Sequence, residues 1–295
     1  MPTGEGVRVG ARNDRWPAGN MAWTRQTRRR EPVDLRTDQA HTARMYDYLL
    51  GGKDNFPADR EAAEQAIAGA PYLRTTAREN RAFMHRAVRH LAEQQGIRQF
   101  LDIGTGIPTS PNLHEVAQAA APDARVVYTD NDPIVLTHAR ALLGGSAAGR
   151  TAYLEADLGD VDTILDSAEL RDTLDLSRPV AVSVIAILHF LPDPDAAYDI
   201  VRRLVAPLPA GSCLTISHAT ADFDPTMEEQ AARSYRARGI PVRLRSRDEI
   251  APFFAGFDLV APGIQSVHRW RPDDNASAAI PDGQVNVYGA VGSKR

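Results

Sequence analysis

Cysteine, lysine and long apolar runs are scarce or absent in this sequence of 295 residues. The single cysteine, Cys213, cannot form an internal disulfide or build a zinc site by itself, and its apolar neighbours predict an inert buried thiol. Lys53 and Lys294 are the only lysines among 34 basic residues, a bias that GC-rich codon usage explains better than phosphate recognition. No run approaches about eighteen apolar residues and the N-terminus lacks a hydrophobic signal core, so we expect a soluble, cytoplasmic protein.

The charge balance does not suggest a general binder of nucleic acids or of acidic membranes. Lys and Arg number 34 against 38 Asp and Glu, a net charge of -4, whereas such binders need a positive surface. The arginine run at residues 28–30 is followed by Glu31 and Asp34, so we interpret it as a solvated charge run. With 43% apolar residues, the chain fits one large α/β domain, or a catalytic domain with a cap.

The sequence predicts three segments. Residues 1–36 show no apolar periodicity and are expected to form a flexible arm, within which Met21 is an alternative start. Residues 37–96 are expected to form a helical extension, with helices over 59–70 and 75–95. In the second of these, four apolar side chains share one face: Phe83, Ala87, Val88 and Leu91. Residues 97–295 are expected to form the main domain.

The main domain alternates short apolar runs with helical patterns. Strands are predicted over 99–103, 125–129, 151–155, 180–188 and 213–217. Helices are predicted between them over 113–121, 134–143, 161–170 and 196–204. This alternation predicts a parallel sheet covered on both faces. Two further strands, over 259–269 and 285–291, follow a capping box that starts at Ser246, and they predict an antiparallel end to the sheet.

A glycine-rich turn follows the first predicted strand. Gly104, Thr105 and Gly106 lie between that strand and a helix, where glycines let a ligand approach the backbone closely. Thr109 stands where a dinucleotide fingerprint needs its third glycine, and Asp102 would repel a pyrophosphate. Asp102 would instead attract a cation. S-adenosyl-L-methionine (SAM), which carries an ammonium and a sulfonium and no phosphate, fits this turn better than NAD does.

Acidic residues also follow the next two predicted strands. Asp130, with Asn131 beside it, is expected to accept hydrogen bonds from both ribose hydroxyls, while Asp132 is expected to cap the next helix. The reverse assignment of these two aspartates remains open. Asp157 is expected to accept a hydrogen bond from the adenine amino group, and Leu158 is expected to supply a neighbouring contact. The carboxyl ends of parallel strands share one sheet edge, which is where ligands bind in such folds.

The fourth predicted strand leads towards the reacting end of the ligand. Backbone atoms of Ile185 and Ala186 are expected to meet the methionine part of SAM, and His189 is a candidate general base. The alternative for His189 is a structural histidine hydrogen-bonded in the loop. His218, after the fifth strand, is a weaker candidate of the same kind.

In these motifs the chain resembles the class I SAM-dependent methyltransferases. The resemblance implies a Rossmann-like sheet of seven strands, mostly parallel with an antiparallel C-terminal strand, over a SAM-binding domain at residues 97–295. Pro108 departs from the pattern, because many members have a third small residue there. Residues 43–60 (ARMYDYLLGGKDNFPADR) are similar to the signature of the actinobacterial "S-adenosyl methyltransferase" family. That resemblance implies SAM binding and an N-terminal helical extension, but no particular substrate.

The segment that carries this signature is a candidate lid over the methionine end of SAM. Arg44 is expected to hold the methionine carboxylate, with Tyr46 or Asp47 near the ammonium and Asn55 in the same segment. A cap that is held together for structural reasons alone is the alternative.

The sequence thus favours an enzyme that transfers the methyl group of SAM to a small-molecule nucleophile and releases S-adenosyl-L-homocysteine (SAH). The acceptor pocket is expected among the N-terminal segment, the loop after His189 and residues 220–242. A non-catalytic SAM or SAH binder and, less favoured, an NAD-linked oxidoreductase are the alternatives. No spacing of His, Asp or Glu indicates a metal site, and no nucleic-acid or membrane partner is expected.

Overall fold

The computed structural model describes residues 35–142 and 148–295. A β-sheet lies at the centre of the fold. The predicted arm at 1–36 and the arginine run at 28–30 lie almost wholly or wholly outside the described residues. The strands are β1 Gln99–Ile103, β2 Arg125–Asp130, β3 Arg150–Glu155, β4 Ala181–Ile185, β5 Cys213–Ala219, β6 Phe257–Leu259, β7 Gln265–Ser266 and β8 Val287–Lys294.

The strand order confirms the predicted class I methyltransferase sheet. Along its main path the order is β3-β2-β1-β4-β5-β8-β6, and the two-residue β7 pairs with β8 as an additional strand. The first five strands pair in parallel, and β8 runs antiparallel to β5. The order reverses between β1 and β4, which places a ligand crevice at the carboxyl ends of these strands.

Two predicted strands are shorter than their apolar runs suggested. The strand predicted over 180–188 ends at Ile185, because Ala186 adopts a left-handed conformation with φ 54°. The strand predicted over 259–269 divides into β6, β7 and a 3-10 turn at Val267–Arg269. Pro262, which has no N–H to donate to a neighbouring strand, lies in the gap between β6 and β7.

The helices lie on both faces of the sheet and over its carboxyl edge. They are α1 Thr42–Leu49, α2 Pro57–Gly69, α3 Leu73–Glu93, α4 Leu113–Ala120, α5 Pro133–Leu142, α6 Val161–Asp166, α7 Ala168–Thr173, α8 Pro194–Val205, α9 Pro225–Arg236, α10 Arg247–Ile250 and α11 Asn275–Ala278. The helix predicted over 161–170 is two helices, because Ser167 is extended and its hydroxyl caps α7 by accepting from the Leu170 N–H. The capping box at Ser246 is confirmed at the start of α10.

The core forms where α3 and α4 pack on one face of the sheet and α6 to α8 on the other. The predicted apolar face of α3 is fully buried, and the Phe83 ring meets Trp270 edge-on at 5.4 Å. Burying each such side chain contributes about 1.5–3 kcal/mol. Cys213 is buried in β5, and burial raises the pKa of its thiol to about 11, as expected of an inert side chain.

The N-terminal helices form a smaller cluster with α9. Met45 and Leu49 of α1 pack against Ala62 and Ala63 of α2, and Tyr235 of α9 contacts the same cluster. These helices therefore cover part of the carboxyl edge of the sheet. In residues 35–142 and 148–295, no helix has the length and apolar sequence needed to cross a membrane.

Candidate functional site

A cavity of about 420 Å³ lies between the carboxyl edge of the sheet and the helices α1, α3 and α9. It is called the cleft below. Of the fifteen residues that the sequence singled out for the site, twelve line the cleft: Tyr46, Asp102, Gly104, Thr105, Gly106, Asp130, Asn131, Asp157, Leu158, Ile185, Ala186 and His189. Arg44, Asp47 and Asn55 are not among the lining residues.

The glycine-rich turn after β1 is anchored to the end of β2. The backbone N–H of Gly104 donates to the carbonyl of Thr129 at 2.8 Å, and that of Gly106 donates to the Asp130 carboxylate at 2.8 Å. Both glycines have φ 69°, in the left-handed region that disfavours side chains. A Cβ on Gly104 would also lie 2.1 Å from the Ile187 Cδ1 atom, so a side chain here would displace Ile187 in addition to straining the backbone.

Asp102 is a buried carboxylate that forms no ion pair with the described residues. Its side chain is only 8% exposed. Burial raises the pKa of Asp102 to about 7, although Arg81 and a hydrogen bond from Thr105 act in the opposite direction. A cationic ligand group in the cleft would lower the energy of this carboxylate.

Asp130 and Asp132 have different surroundings at the end of β2. One Asp130 oxygen accepts from Gly106 and the other accepts from the Asp132 N–H at 2.9 Å. The Asp132 carboxylate accepts from the Ile134 N–H at 2.9 Å, which confirms that Asp132 caps the start of α5. Only Asp130 lines the cleft. Burial raises the pKa of Asp130 as well, and the two backbone hydrogen bonds oppose that rise.

Asp157 and Asn131 form a bridge between the loops after β2 and β3. The Asn131 amide donates to the Asp157 carboxylate at 2.8 Å, and the Gly159 N–H donates to its other oxygen at 2.8 Å. Asp157 is exposed at the cleft, whereas Leu158 beside it is buried. This pair offers one polar and one apolar contact at the same end of the cleft.

The chain turns sharply into the cleft at Ala186. Its left-handed backbone is held by its N–H, which donates to the Ser217 hydroxyl at 2.9 Å and to the Ser217 carbonyl at 3.2 Å. Such a conformation costs a non-glycine residue about 1–3 kcal/mol and is concentrated at functional sites. The turn brings Ile185, Ala186 and Ile187 to the cleft wall.

His189 lines the cleft, but its surroundings make it a weak base. Burial, with the positive charge of Arg245 as a second cause, lowers the pKa of His189 to about 3. Its Nδ1 accepts from the Ala219 N–H at 3.5 Å, so the neutral ring carries its proton on Nε2. His218 lies behind it, bonded to Arg245 at 2.9 Å, and does not line the cleft. This environment favours the structural alternative for both histidines.

Arg44 and Asp47 hold the N-terminal segment together. Arg44 is 3% exposed, and its Nε lies 3.3 Å from the Asp132 carboxylate and 3.7 Å from that of Asp59. Asp47 accepts from the Asn55 amide at 2.7 Å and from the Asp54 N–H at 3.0 Å. Because these side chains bond to one another outside the cleft, the structure favours the structural cap over direct contact with a ligand. Tyr46 alone of the four predicted residues in this segment lines the cleft.

Several residues that line the cleft were not named as site residues from the sequence. Among them are Asn80 and Arg81 on α3, Asn286 just before β8, and Glu228 on α9, which lies in the segment 220–242 that was expected to border the acceptor pocket. Arg81 donates to the carbonyls of Thr109 and Pro111, while its Nε is buried with no hydrogen-bond partner among the described residues. No sequence signal separates Arg81 from the other arginines of α3 or Glu228 from its neighbour Glu229, because only the three-dimensional packing brings them to the cleft.

Comparison with known proteins agrees with this geometry. The family model described as "S-adenosyl methyltransferase" matches residues 28–295. A DUF574 family protein from Streptomyces avermitilis MA-4680 is 56% identical, with a TM-score of 0.87 over 89% of this chain and 100% of that one. A candidate methyltransferase from Thermobifida fusca YX is 39% identical, with a TM-score of 0.83 over 90% and 98%.

A more distant structure shares the fold alone. A protein from Bordetella parapertussis is 18% identical, with a TM-score of 0.54 over 87% of this chain and 80% of that one. None of the curated proteins that were compared matches the chain. The family model covers most of the sequence and the two similar structures cover nine tenths of it. This chain therefore belongs to the S-adenosyl methyltransferase family.

Proposed function

We propose that the protein transfers the methyl group of SAM to a small-molecule acceptor and releases SAH. Family membership supports the reaction class. The observation that carries the proposal for this chain is the buried Asp102 carboxylate, which has no ion pair among the described residues and lies in the cleft beside a turn that lacks the dinucleotide fingerprint.

The charges of Asp102 and Arg81 in the cleft fit the methionine part of SAM. Asp102 supplies a carboxylate for the ammonium, and Arg81, whose Nε has no partner among the described residues, supplies a cation for the methionine carboxylate. A pyrophosphate would meet the Asp102 charge in a buried site, which is unfavourable. Arg81 therefore takes the role that the sequence assigned to Arg44.

The adenosine part of SAM fits three further residues of the cleft, Asp130, Asp157 and Leu158. A carboxylate has about four lone-pair positions, so Asp130 retains acceptor capacity for the ribose hydroxyls after its two backbone hydrogen bonds. Asp157 accepts from the adenine amino group, and Leu158 packs against the ring. Bound SAM supplies a methyl group on a positively charged sulfur, which makes it a reactive donor.

The protein contributes to the reaction mainly by positioning and by excluding water. Asp102, Arg81 and Asp130 fix the donor, while the bend at Ala186 aims backbone atoms at the reacting end. Holding the two reactants in line removes much of the entropic part of the barrier. The part of the cleft between α1, α3 and α9 is buried, with Asn80 1% and Met84 4% exposed, which favours a small-molecule acceptor over a macromolecule.

Calorimetry with SAH, 5′-methylthioadenosine and NADH tests the binding part of this proposal. We expect SAH to bind and NADH not to bind. The Arg81→Gln substitution should weaken SAH affinity by about tenfold or more, because it removes a charge-assisted hydrogen bond. The variant should bind 5′-methylthioadenosine normally, because that compound lacks the methionine carboxylate. Arg78→Gln, on the exposed side of α3, is the matched control. NADH binding with no SAH binding would overturn the proposal.

Incubation with methyl-labelled SAM and a metabolite extract tests the transfer itself. We expect label in a small-molecule product, together with SAH. Tight SAH binding with no transfer to any metabolite would instead favour a non-catalytic SAM-binding protein.

A further inference from the structure

The cleft contains a second buried carboxylate besides Asp102. Glu228 lies on α9, is 7% exposed and lines the cleft. It makes no ion pair with any of the described residues, and it interacts electrostatically with Asp224, the N-cap of α9, and with Tyr235. Tyr235 lies seven residues further along α9, on the same helical face, and also lines the cleft.

Two asparagines in the cleft have an amide oxygen that no described residue hydrogen bonds. The Asn80 amide nitrogen donates to the Tyr46 hydroxyl at 2.9 Å, and that hydroxyl donates to the Ala77 carbonyl at 3.0 Å. Because the tyrosine proton is used, Tyr46 can only accept from Asn80, which fixes the orientation of the amide. The Asn80 Oδ1 is therefore the free acceptor, with no hydrogen-bond partner in the described part of the chain.

Asn286, just before β8, repeats this arrangement. Its amide nitrogen donates to the Gly283 carbonyl at 3.1 Å and its side chain also hydrogen bonds the Glu228 carboxyl group. Its Oδ1 has no partner among residues 35–142 and 148–295. The Thr76 hydroxyl of α3 donates to the Gln284 carbonyl at 3.3 Å, which holds the segment of Asn286 against the start of α3.

The cleft is rich in hydrogen-bond acceptors where it is lined by Glu228, Asn80 and Asn286. A buried acceptor without a partner costs about 1–3 kcal/mol, and such groups in a folded protein call for an explanation. A ligand with several N–H donors would satisfy them. The wall around them is apolar, with contributions from Leu73, Met84, Phe190, Ile240 and Val287.

Building on the proposed methyl transfer, we propose that the acceptor is a primary or secondary amine with an apolar body, bound through its N–H groups by Glu228, Asn80 and Asn286. An ammonium group has only donors, three N–H groups in a primary amine and two in a secondary one, and it therefore suits a site that offers several acceptors. A carboxylic acid would bring a second negative charge to Glu228. An alcohol has one donor and would leave acceptors unpaired.

In the same proposal, Glu228 accepts the proton that the amine must lose before it reacts. The ammonium gives one proton to the Glu228 carboxylate, and the freed nitrogen lone pair attacks the methyl carbon of SAM. The bond from carbon to sulfur breaks with its electron pair remaining on sulfur, so that SAH and a methylated ammonium result. Glu228 then returns its proton to water.

The environment of Glu228 suits this proton transfer better than that of His189 does. Burial raises the pKa of Glu228 to about 7, with the Asp224 charge acting in the same direction and the Asn286 hydrogen bond against it. A base with a pKa near the working pH is the most effective proton acceptor. His189, with a pKa lowered to about 3, stays neutral and accepts protons poorly.

The test uses the full chain saturated with SAH and matched trios of ligands. One trio is 2-phenylethylamine, 2-phenylethanol and phenylacetate, and a library of aromatic and aliphatic amines with their alcohols and acids extends it. We expect amines to bind at least about tenfold more tightly than their partners by calorimetry. Glu228→Gln should lose about tenfold in amine affinity and keep its SAH affinity. Glu229→Gln, at the half-buried neighbouring position on the same helix, should match the wild type.

The second readout is methyl transfer from labelled SAM to the amines that bind. The Glu228→Gln substitution should lower the rate of this transfer and change the pH dependence of that rate. Equal binding of alcohols or acids, unchanged amine affinity in Glu228→Gln, or no amine bound by the SAH-saturated protein would each overturn this inference and leave the methyltransferase proposal standing. Failure to bind SAH at all would count against the methyltransferase proposal itself.

Discussion

The Asp130 carboxylate accepts a hydrogen bond of 2.8 Å from the backbone N–H of Gly106. This hydrogen bond joins the end of β2 to the turn after β1, so the two parts of the proposed SAM site that were predicted separately from the sequence form one hydrogen-bonded unit. The other Asp130 oxygen accepts from the Asp132 N–H, which leads into α5. The residue proposed to hold the ribose therefore also shapes the turn proposed to hold the methionine end.

Replacing Asp130 by asparagine is expected to weaken SAH binding by about tenfold or more. An amide presents one oxygen and one NH₂ group, so it can accept from only one of the two backbone N–H groups and points its own donors at the other. Calorimetry at neutral pH measures the effect. Asp123→Asn, on the exposed turn before β2, is the matched control and should bind like the wild type. An Asp130→Asn variant with wild-type affinity would contradict the shared role.

Asp102 is expected to make SAH binding depend on pH. The pKa of Asp102 is about 7 in the free protein, and the ligand ammonium favours its charged form. Binding therefore releases a proton at low pH, and affinity should rise with pH by up to about tenfold per pH unit below 7 and then level off. Titrations across this range should show a flat profile for Asp102→Asn. The affinity of the wild type for 5′-methylthioadenosine, which has no ammonium, should likewise be independent of pH. An equally steep profile in Asp102→Asn would refute this assignment.

Arg44→Met is expected to destabilise the fold while leaving the SAH affinity of the folded protein nearly unchanged. The substitution leaves the buried carboxylates of Asp59 and Asp132 without their cation, and breaking such a pair costs about 3–5 kcal/mol. Urea denaturation measures the loss, and calorimetry on the folded fraction measures affinity. Arg60→Met, exposed on α2, serves as the control. A large loss of affinity with normal stability would restore Arg44 as a direct ligand of the methionine carboxylate.

The sequence predicted the sheet and one side of the cleft well because these depend on local patterns. Apolar runs followed by Gly104, Asp130 and Asp157 place chemistry at strand ends, and parallel strands bring their ends together. The apolar pattern continues past Ile185, however, and only the backbone conformation at Ala186 shows where the strand ends. A one-dimensional pattern contains no such information.

The helical side of the cleft was predicted less well because it depends on packing between distant segments. Arg44 is a charged residue within a family-like signature, yet its partner Asp132 is 88 residues away in the chain and both are buried outside the cleft. Arg81 and Glu228 are single charged residues on amphipathic helices, where a solvated position is the ordinary interpretation. Their burial in the cleft follows from how α3 and α9 dock on the sheet.

Glu228 is expected to make the ligand-free protein less stable as pH rises. Burial raises its pKa from 4.5 to about 7 in the folded state, so folding favours the protonated form. Below about pH 4.5 both folded and unfolded chains carry the proton and no penalty exists; above about pH 7 the full penalty applies, about 3 kcal/mol at most. Urea denaturation of the wild type and Glu228→Gln from about pH 5 to pH 8 measures this component.

The two proteins should have similar stability at the acidic end, and Glu228→Gln should be the more stable one at the alkaline end. Asp102 titrates with the same sign in both, so the difference between the two curves isolates Glu228. Glu229, whose pKa is lowered by Arg236, should give no such gain when it is changed to glutamine. A difference that is constant across the pH range would show that the Glu228 carboxylate is adequately compensated in the folded state, and it would remove the unsatisfied charge on which the amine proposal depends.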